Sequence, residues 1–510
     1  MVEKCKQATK ATAPNLEGAR KTEQRVSSGL VRGEGFLLLF LLFPFFLHAQ
    51  GTLADYKRAY AVQKEFTWAK VKNHVDDARW LPDGRFQYHL TDGAGGGLWH
   101  FGQINEDGTI TLADTTATQP LNNASHPDAV GAQRFSRRDN RAHFIANPSK
   151  RRHERHWMET DDERSADPIL SPDSSLVAFI RNDNVYVARP DGSEALALST
   201  EGTLSHYFSS YIQWSPDSRY VATTRIRPIE KRYVYYVESS PADQLQPILH
   251  KQEYSKPGDE LAQKTPYIFE VATGRSACPA PDLIANQYDL SRPEWRADSR
   301  GIRFDYNQRG HKLFCVYELS VDELPASGST TTASLRTLIE ERADTYVRYS
   351  NYYRQSLHGD SLILWLSERD GFPHLYSLTP NDLTPNPSPK GKGRKVTSFG
   401  SLGSPLSQIT SGNWCVRRVL HIDEEKGLIY FTGNGRNPDE DPYHIHYYRV
   451  RLDGTELVDL TPEAANHNAR FNEDYSALID TYSTVDTAPT TKVRALGDLV
   501  AEATLATADI

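Results

Sequence analysis

Cysteine and methionine are scarce in this chain: 510 residues hold four of the first and two of the second. Cys5 lies in an N-terminal stretch expected to be removed. That leaves Cys278, Cys315 and Cys415, enough for one disulfide at most, at separations that fit no zinc or redox pattern. The fold must therefore rest on its core. An excess of positive charge is missing too: the formal net charge is −8, which argues against nucleic acid as a partner. One basic stretch exists, Arg134, Arg137, Arg138 and Arg141 followed by Lys150, Arg151, Arg152 and Arg155. Asp and Glu flank it, and it reads as a solvated loop face.

The chain also lacks an apolar run of the length needed to span a membrane, about 20 residues. Residues 36–47 form a run of twelve, interrupted by Pro44. That is the length of a signal-peptide hydrophobic region, with Arg32 before it and His48, Ala49 and Gln50 after it. Residues 36–49 are therefore expected to be an export signal cleaved after Ala49. Residues 1–35 form a polar preface, expected to be unstructured, with translation starting near Val31. The expected location is periplasmic or secreted; the alternative is a membrane anchor formed by residues 36–47.

What the chain does have is aromatic residues and a repeated turn. Its 26 Tyr and 8 Trp suit half-buried pleated surfaces better than helix interiors. An aromatic or small residue followed by a Pro/Asp/Ser-type turn recurs, and an alternating apolar strand follows each time. Trp80-Leu81-Pro82-Asp83-Gly84 leads into one such strand, Ser171-Pro172-Asp173-Ser174 into another, and Trp214-Ser215-Pro216-Asp217-Ser218 and Trp295-Arg296-Ala297-Asp298-Ser299 into two more. Further copies stand at residues 135–140, at Gly359-Asp360, at Asp423 to Gly427 and at Phe471 to Tyr475. Pro presets φ for a tight turn, and Asp hydrogen-bonds the backbone two residues on. Alternation then places every second side chain on one face. Eight copies, with a second hairpin after most of them, predict an all-β fold. The architecture expected is an eight-bladed β-propeller with inserted loops over residues 54–510.

Two insertions interrupt the repeats. Residues 228–266 carry Glu230, Lys231, Arg232, three nearby tyrosines, Glu238 and Glu253. Residues 380–407 are rich in Pro, Gly, Ser and Lys and poor in apolar residues, so they are expected to be a flexible surface loop.

Four phrases in order carry a resemblance. They are Tyr254-Ser255-Lys256-Pro257-Gly258-Asp259 ahead of a strand at Tyr267, then Ser367-Glu368-Arg369-Asp370-Gly371-Phe372-Pro373-His374-Leu375-Tyr376, then Ile409-Thr410-Ser411-Gly412-Asn413-Trp414, and last Asp480-Thr481-Tyr482-Ser483. Taken together they resemble the N-terminal β-propeller domain of the dipeptidyl peptidase IV family, prolyl oligopeptidase-like serine peptidases. The resemblance implies a propeller that caps an α/β-hydrolase releasing dipeptides from peptide N-termini. It also implies a peptide substrate, a hydrolase partner in cis or in trans, and a homodimer as in the family. Hydrolase chemistry needs a G-x-S-x-G turn followed by Asp and His. No serine here has glycine at both −2 and +2, so no catalytic residue is assigned, and the chain by itself is expected not to cleave peptides.

The family's paired Glu for the substrate amine is not matched by residues 198–214, which hold Glu201 alone. Substitutes for substrate contact are Glu230 and Glu238 in the insertion, with Arg225 and Arg227 as partners for a carboxylate or carbonyl. No cofactor is expected. His444 and His446 share one face of a strand, but nothing in the sequence names a third metal ligand, so they read as packed residues. Asp439, Glu440 and Asp441 between two prolines read as a turn. The competing functional reading is a Tol-like periplasmic scaffold propeller that binds a protein.

Overall fold

The computed structural model describes residues 52–61, 71–121, 163–164, 167–326, 330–380, 406–497 and 501–509. The chain divides into an N-terminal unit, Met1–Trp68, and a larger unit, Ala69–Ile510. In the first unit, helix α1 (Leu53–Ala61) starts with a reciprocal cap. The Thr52 hydroxyl accepts the Asp55 N–H at 3.3 Å, and the Asp55 carboxylate accepts the Thr52 N–H at 2.7 Å.

The larger unit is built of antiparallel sheets, seven among the described residues, plus one separate hairpin. Sheet 1 holds Lys72–Trp80, Arg85–Asp92, Gly97–Ile104 and Ile110–Ala117. Sheet 2 holds Ile169–Leu170, Val177–Arg181, Asn184–Ala188 and Leu196–Ala197. Sheet 3 is centred on Tyr220–Arg227 and Gln263–Glu270, and gains a parallel strand, Thr330–Ala333, alongside Ser276–Pro279. Sheet 4 is centred on Gly301–Gln308 and Leu313–Ser320. Sheet 5 pairs Arg354–Leu357, Leu362–Ser367, His374–Leu378 and Ser407–Gln408. Sheet 6 pairs Cys415–Asp423, Leu428–Asn434, Ile445–Arg451 and Val458–Asp459. Sheet 7 pairs Asn466–Phe471, Ala477–Ser483, Thr490–Ala495 and Glu502–Thr507.

The turn phrases form as their chemistry requires. The Ser174 N–H donates to the Ser171 carbonyl at 2.8 Å, the Ser171 hydroxyl to the Asp173 carboxylate at 2.6 Å, and the Ser175 N–H to the same carboxylate at 3.0 Å. The Ser215–Asp217 turn repeats these bonds at 2.9, 2.6 and 3.1 Å. The fourth residue is left-handed each time, with φ of 61° at Ser174, Ser218 and Ser299, and 81° at Gly84.

The two-residue period then sends alternate side chains to opposite sheets. In Leu313–Ser320, Cys315 packs against sheet 3, whereas Phe314 and Val316 pack against sheet 5. In Leu428–Asn434, Ile429 and Phe431 face sheet 5 while Tyr430 faces sheet 7. Six apolar clusters lie between successive sheets in this way: 2 with 3, 3 with 4, 4 with 5, 5 with 6, 6 with 7, and 7 with 1. In the last, Val75, Ala78, Phe86 and Tyr88 pack on Ile479, Val493 and Leu505. The end of the chain meets the start of sheet 1 as well, where the Asp509 N–H donates to the Lys72 carbonyl at 2.9 Å.

The same phrases hold neighbouring sheets in register. The indole N–H of Trp214 donates to the Ile169 carbonyl of sheet 2 at 2.9 Å, and that of Trp295 to the Gln213 carbonyl of sheet 3 at 3.0 Å. Trp80 of sheet 1 does the same to Arg470 of sheet 7 at 3.0 Å. The turns are linked too: the Asp173 N–H donates to Ser218 Oγ at 3.1 Å and the Asp217 N–H to Ser299 Oγ at 3.1 Å.

Seven of the eight turn phrases therefore sit on described sheets; the eighth, residues 135–140, lies outside the described residues, as do the basic stretch, the export segment and residues 381–405. The 228–266 insertion forms a hairpin, Tyr233–Glu238 with Ile248–Glu253, that pairs only with itself. Trp214→Phe keeps most of the buried area but strands the Ile169 carbonyl, so it should cost about 1–3 kcal/mol in urea unfolding. Val485→Ala, on a fully exposed bend, should stay within about 0.5 kcal/mol of the parent.

Candidate functional site

Among the polar clusters that interrupt the apolar seams of the described residues, two concern the candidate residues. The first gathers where strand Tyr220–Arg227 of sheet 3 meets the segment 207–211 and residues 163–164. The Ser209 hydroxyl donates to Glu163 Oε2 at 2.5 Å, and the Ser210 N–H to the Glu163 carbonyl at 2.6 Å. Arg292 lies 3.5 Å from Glu163 Oε1, with its guanidinium stacked 3.1 Å from the centre of the Tyr211 ring. Arg164 pairs with Asp183 at 2.9 Å and covers the Tyr207 ring at 4.0 Å. Arg225 donates to the Glu201 carbonyl at 2.7 Å and keeps a buried Nε–H without a hydrogen-bond acceptor. A half-buried carboxylate beside spare guanidinium donors can take an amine and a carbonyl or carboxylate of a bound chain.

The residues expected to bind substrate do not all meet there. Arg225 does. Arg227 stands at the exposed strand end and pairs with Glu260 at 2.7 Å. Glu230 is exposed, and Glu238 lies on the separate hairpin, where it meets His250 at 2.7 Å. Glu163 was not foreseen. It lies 46 residues before Ser209, and no spacing in the sequence links the two.

The second cluster fills the end of sheet 7. His467 Nδ1 lies 2.8 Å from Asp480 Oδ2, and its Nε2 2.8 Å from the Glu463 carbonyl. Arg494 reaches both Glu463 oxygens at 2.5–2.6 Å and Glu502 at 2.5 Å, while Lys492 spans the same two acids at 2.8 and 2.9 Å. Glu463, His467 and Asp480 lie close enough together for metal ligation. Both imidazole nitrogens are already engaged, however, and two cations neutralise the acids, so the group is an internal ion-pair network. Burial disfavours a charged imidazole, but Asp480 outweighs it and holds His467 above its ordinary value. Burial likewise works against the Glu463 carboxylate, and Arg494 and Lys492 override it, bringing the group down to about 2.

Nucleophiles are poorly served. Cys278, Cys315 and Cys415 are free thiols, and burial raises all three, Cys315 to about 12, which leaves little thiolate at neutral pH. The His467–Asp480 pair faces a backbone carbonyl instead of a serine.

The network makes stability depend on pH. Glu463, depressed in the fold, contributes above its ordinary 4.5, and that contribution is lost as pH falls toward about 2. His467, raised in the fold, contributes fully below its ordinary 6.5 and loses that contribution as pH rises through its folded value. Thermal unfolding followed between pH 2 and 5 should show an acid limb that Glu463→Gln removes in large part, together with a lower Tm at neutral pH.

A family model described as the dipeptidyl peptidase IV (DPP IV) N-terminal region matches residues 132–489. Among curated proteins, the probable dipeptidyl-aminopeptidase B of Emericella nidulans is 22% identical over 343 residues, covering 58% of this chain and 33% of that protein. The dipeptidyl-aminopeptidase B of Aspergillus niger is 24% identical over 336 residues, with the same two shares, 58% and 33%. The chain thus spans about a third of the length of the curated relatives it matches. Porphyromonas gingivalis dipeptidyl peptidase 4 superimposes with a TM-score of 0.43 and 15% identity, over 88% of this chain and 55% of its own. A putative dipeptidyl aminopeptidase IV from Bacteroides ovatus gives a TM-score of 0.41 and 18% identity, over 68% and 47%.

Proposed function

Because this chain belongs to the dipeptidyl peptidase IV N-terminal region family, we propose that its sheets close into an eight-bladed ring serving as the non-catalytic, peptide-gating part of a serine peptidase. The α/β-hydrolase that cuts the peptide acts with it, in the same polypeptide or as a separate one. The observation that carries the ring is the seam between sheets 7 and 1, where Trp80 repeats the indole-to-carbonyl bond that Trp214 and Trp295 make elsewhere. The count of eight comes from the turn phrases in the sequence, of which the one at residues 135–140 lies outside the described residues. Export through residues 36–49 belongs to the same proposal and rests on the apolar run alone.

Substrate contact is assigned to Arg225 with Glu163 and Arg292, joined by Arg227, Glu230 and Glu238 where the hairpin borders the peptide path. What supports this is a half-buried acid that its cationic partner Arg292 meets only at 3.5 Å, together with a buried Arg225 N–H that has no acceptor. Such groups exchange their internal partners for ligand at small cost. A homodimer is proposed on the hairpin, where Tyr235 is 62% and Leu249 67% exposed, an apolar surface suited to a second copy.

The purified chain should bind an Xaa-Pro peptide with a free amino terminus in isothermal titration, and bind its N-acetylated form more weakly. Arg225→Ala and Glu163→Gln should each weaken binding about tenfold, or 1.4 kcal/mol. Equal affinity for free and acetylated peptide, unchanged by either substitution, would contradict the peptide-gating role. Turnover of a chromogenic Xaa-Pro substrate by the chain alone, abolished by a serine-directed inhibitor, would contradict the non-catalytic one. In sedimentation, Tyr235→Ser with Leu249→Ser should convert a dimer to a monomer; sedimentation unchanged by the pair would rule out the hairpin contact.

A further inference from the structure

We propose that His446 and His467 form a proton-operated latch on the link between sheets 6 and 7, closed while each ring shares a proton with its acid and released as those protons leave at higher pH. His446 lies on the third strand of sheet 6, Ile445–Arg451, and His467 on the first strand of sheet 7, Asn466–Phe471. Both are 1% exposed, and their ring centres are 4.9 Å apart across the seam. The pair clamps the link itself, residues 460–465. His446 Nδ1 lies 2.7 Å from the Thr461 carbonyl, and His467 Nε2 lies 2.8 Å from the Glu463 carbonyl.

Each ring stands between a carbonyl and a carboxylate. The second nitrogen of His446, Nε2, lies 2.9 Å from Glu440 Oε1, and that of His467, Nδ1, lies 2.8 Å from Asp480 Oδ2. A carbonyl only accepts, so the nitrogen facing it carries a proton. The other nitrogen of a neutral ring then presents a lone pair to a carboxylate, and the opposite tautomer leaves the carbonyl without a donor. A proton must therefore lie between each ring and its acid. Losing it breaks a buried contact on which the link depends.

The surrounding charges favour both protons. Glu440 is 4% exposed and has no Arg or Lys ion pair among the described residues; its second oxygen lies 3.9 Å from His444 Nδ1. Asp459 stands 3.7 Å from His446 Nδ1, and Arg436, over the Tyr448 ring at 5.6 Å, acts on it. On the other side, Arg494 lies 3.9 Å from buried Asp480, and Arg494 and Lys492 are shared with Glu463 and Glu502. Burial raises Tyr448 and Tyr482, so the phenols beside the rings stay neutral. With both protons in place, His446, His467, Arg436, Arg494 and Lys492 balance Glu440, Asp459, Asp480, Glu463 and Glu502. Without them, buried acids lose their partners. Burial disfavours the charge on His467, but Asp480 outweighs it and holds the ring above its ordinary value. Its share of the latch is complete below the ordinary 6.5 and is lost as pH rises through the folded value. Two charged rings this close repel, so their protons leave in two steps.

The test follows amide hydrogen exchange of the whole chain from pH 6 to about 9, with protection corrected for the intrinsic rate at each pH. The Tyr447 N–H donates to Thr461 Oγ1 at 2.9 Å and the Leu460 N–H to the Tyr447 carbonyl at 2.8 Å, so both report on the clamped link. Their protection should fall by up to about tenfold per pH unit for each proton released, while Leu362–Ser367 of sheet 5 stays level. Glu440→Gln keeps the volume and offers His446 Nε2 an N–H donor, so no proton is needed there. It should lose one step and stay better protected than the parent at high pH. His446→Gln should remove the same step by a second route, His467→Gln should remove the other, and His250→Gln on the surface hairpin should change nothing. The proposal is overturned if protection at Tyr447 and Leu460 does not depend on pH. It is equally overturned if the loss is the same in the parent, Glu440→Gln and His467→Gln.

Discussion

A sheet of this chain has two apolar faces and cannot cover either one alone; everything else in the structure answers to that constraint. Strand Leu362–Ser367 makes it plain, since Ile363 and Trp365 belong to the cluster with sheet 4 while Leu364 and Leu366 belong to the cluster with sheet 6. Sheets 3 to 7 accordingly each lie between two others among the described residues. The indole and turn bonds set how they lie, because an apolar face by itself tolerates sliding. A tryptophan whose N–H must find the carbonyl of the adjoining sheet fixes one position along the seam. A turn whose N–H finds a serine of the next turn fixes a second. Two such points on a stiff sheet leave it little freedom.

Much of this was legible in the residues. Pro and Asp at fixed offsets mark tight turns in any context, and period-two alternation marks strands, so the sheets stand where the phrases put them. That the phrases also reach across seams was not legible, because the partners of Trp80 and Trp295 lie 390 and 82 residues away. The same reason hid Glu163 from the Ser209 segment. His444 and His446 were read as a pair on one strand, but the strand begins at Ile445, so only His446 lies on it. Glu440, which meets His446 at 2.9 Å, was read as part of a turn, since a Pro-bounded acidic run gives no sign of which carboxylate points inward. The hairpin at Tyr233–Glu238 was visible only as an insertion, for its tyrosines have the composition of a core strand and the exposure of an arm.

The polar clusters follow from the same architecture. Where charged groups interrupt the apolar seams, they are largely taken up by one another. Arg303 pairs with Glu318 at 3.1 Å, both deeply buried, and with the half-buried Asp360 of the next sheet at 2.8 Å. Asp305, nearly shut off from water, is pushed up to about 6 by burial in spite of Arg354. Most of these groups are matched within the fold and hold it together. Arg225 is among the buried groups that keep a donor without an acceptor, and such groups are where the fold has chemistry left over for a ligand.

The central claim is that sheet 1 is closed against sheet 7 as firmly as any two sheets inside the array. Amide hydrogen exchange on the native chain measures this directly, since a terminal unit of an open array frays and a unit in a closed ring does not. The account predicts that Arg85–Asp92 and Gly97–Ile104 exchange within about tenfold of Leu362–Ser367 and His374–Leu378, a difference of 1.4 kcal/mol. Exchange of sheet 1 at the rate of the exposed hairpin, with sheet 5 still protected, would contradict it.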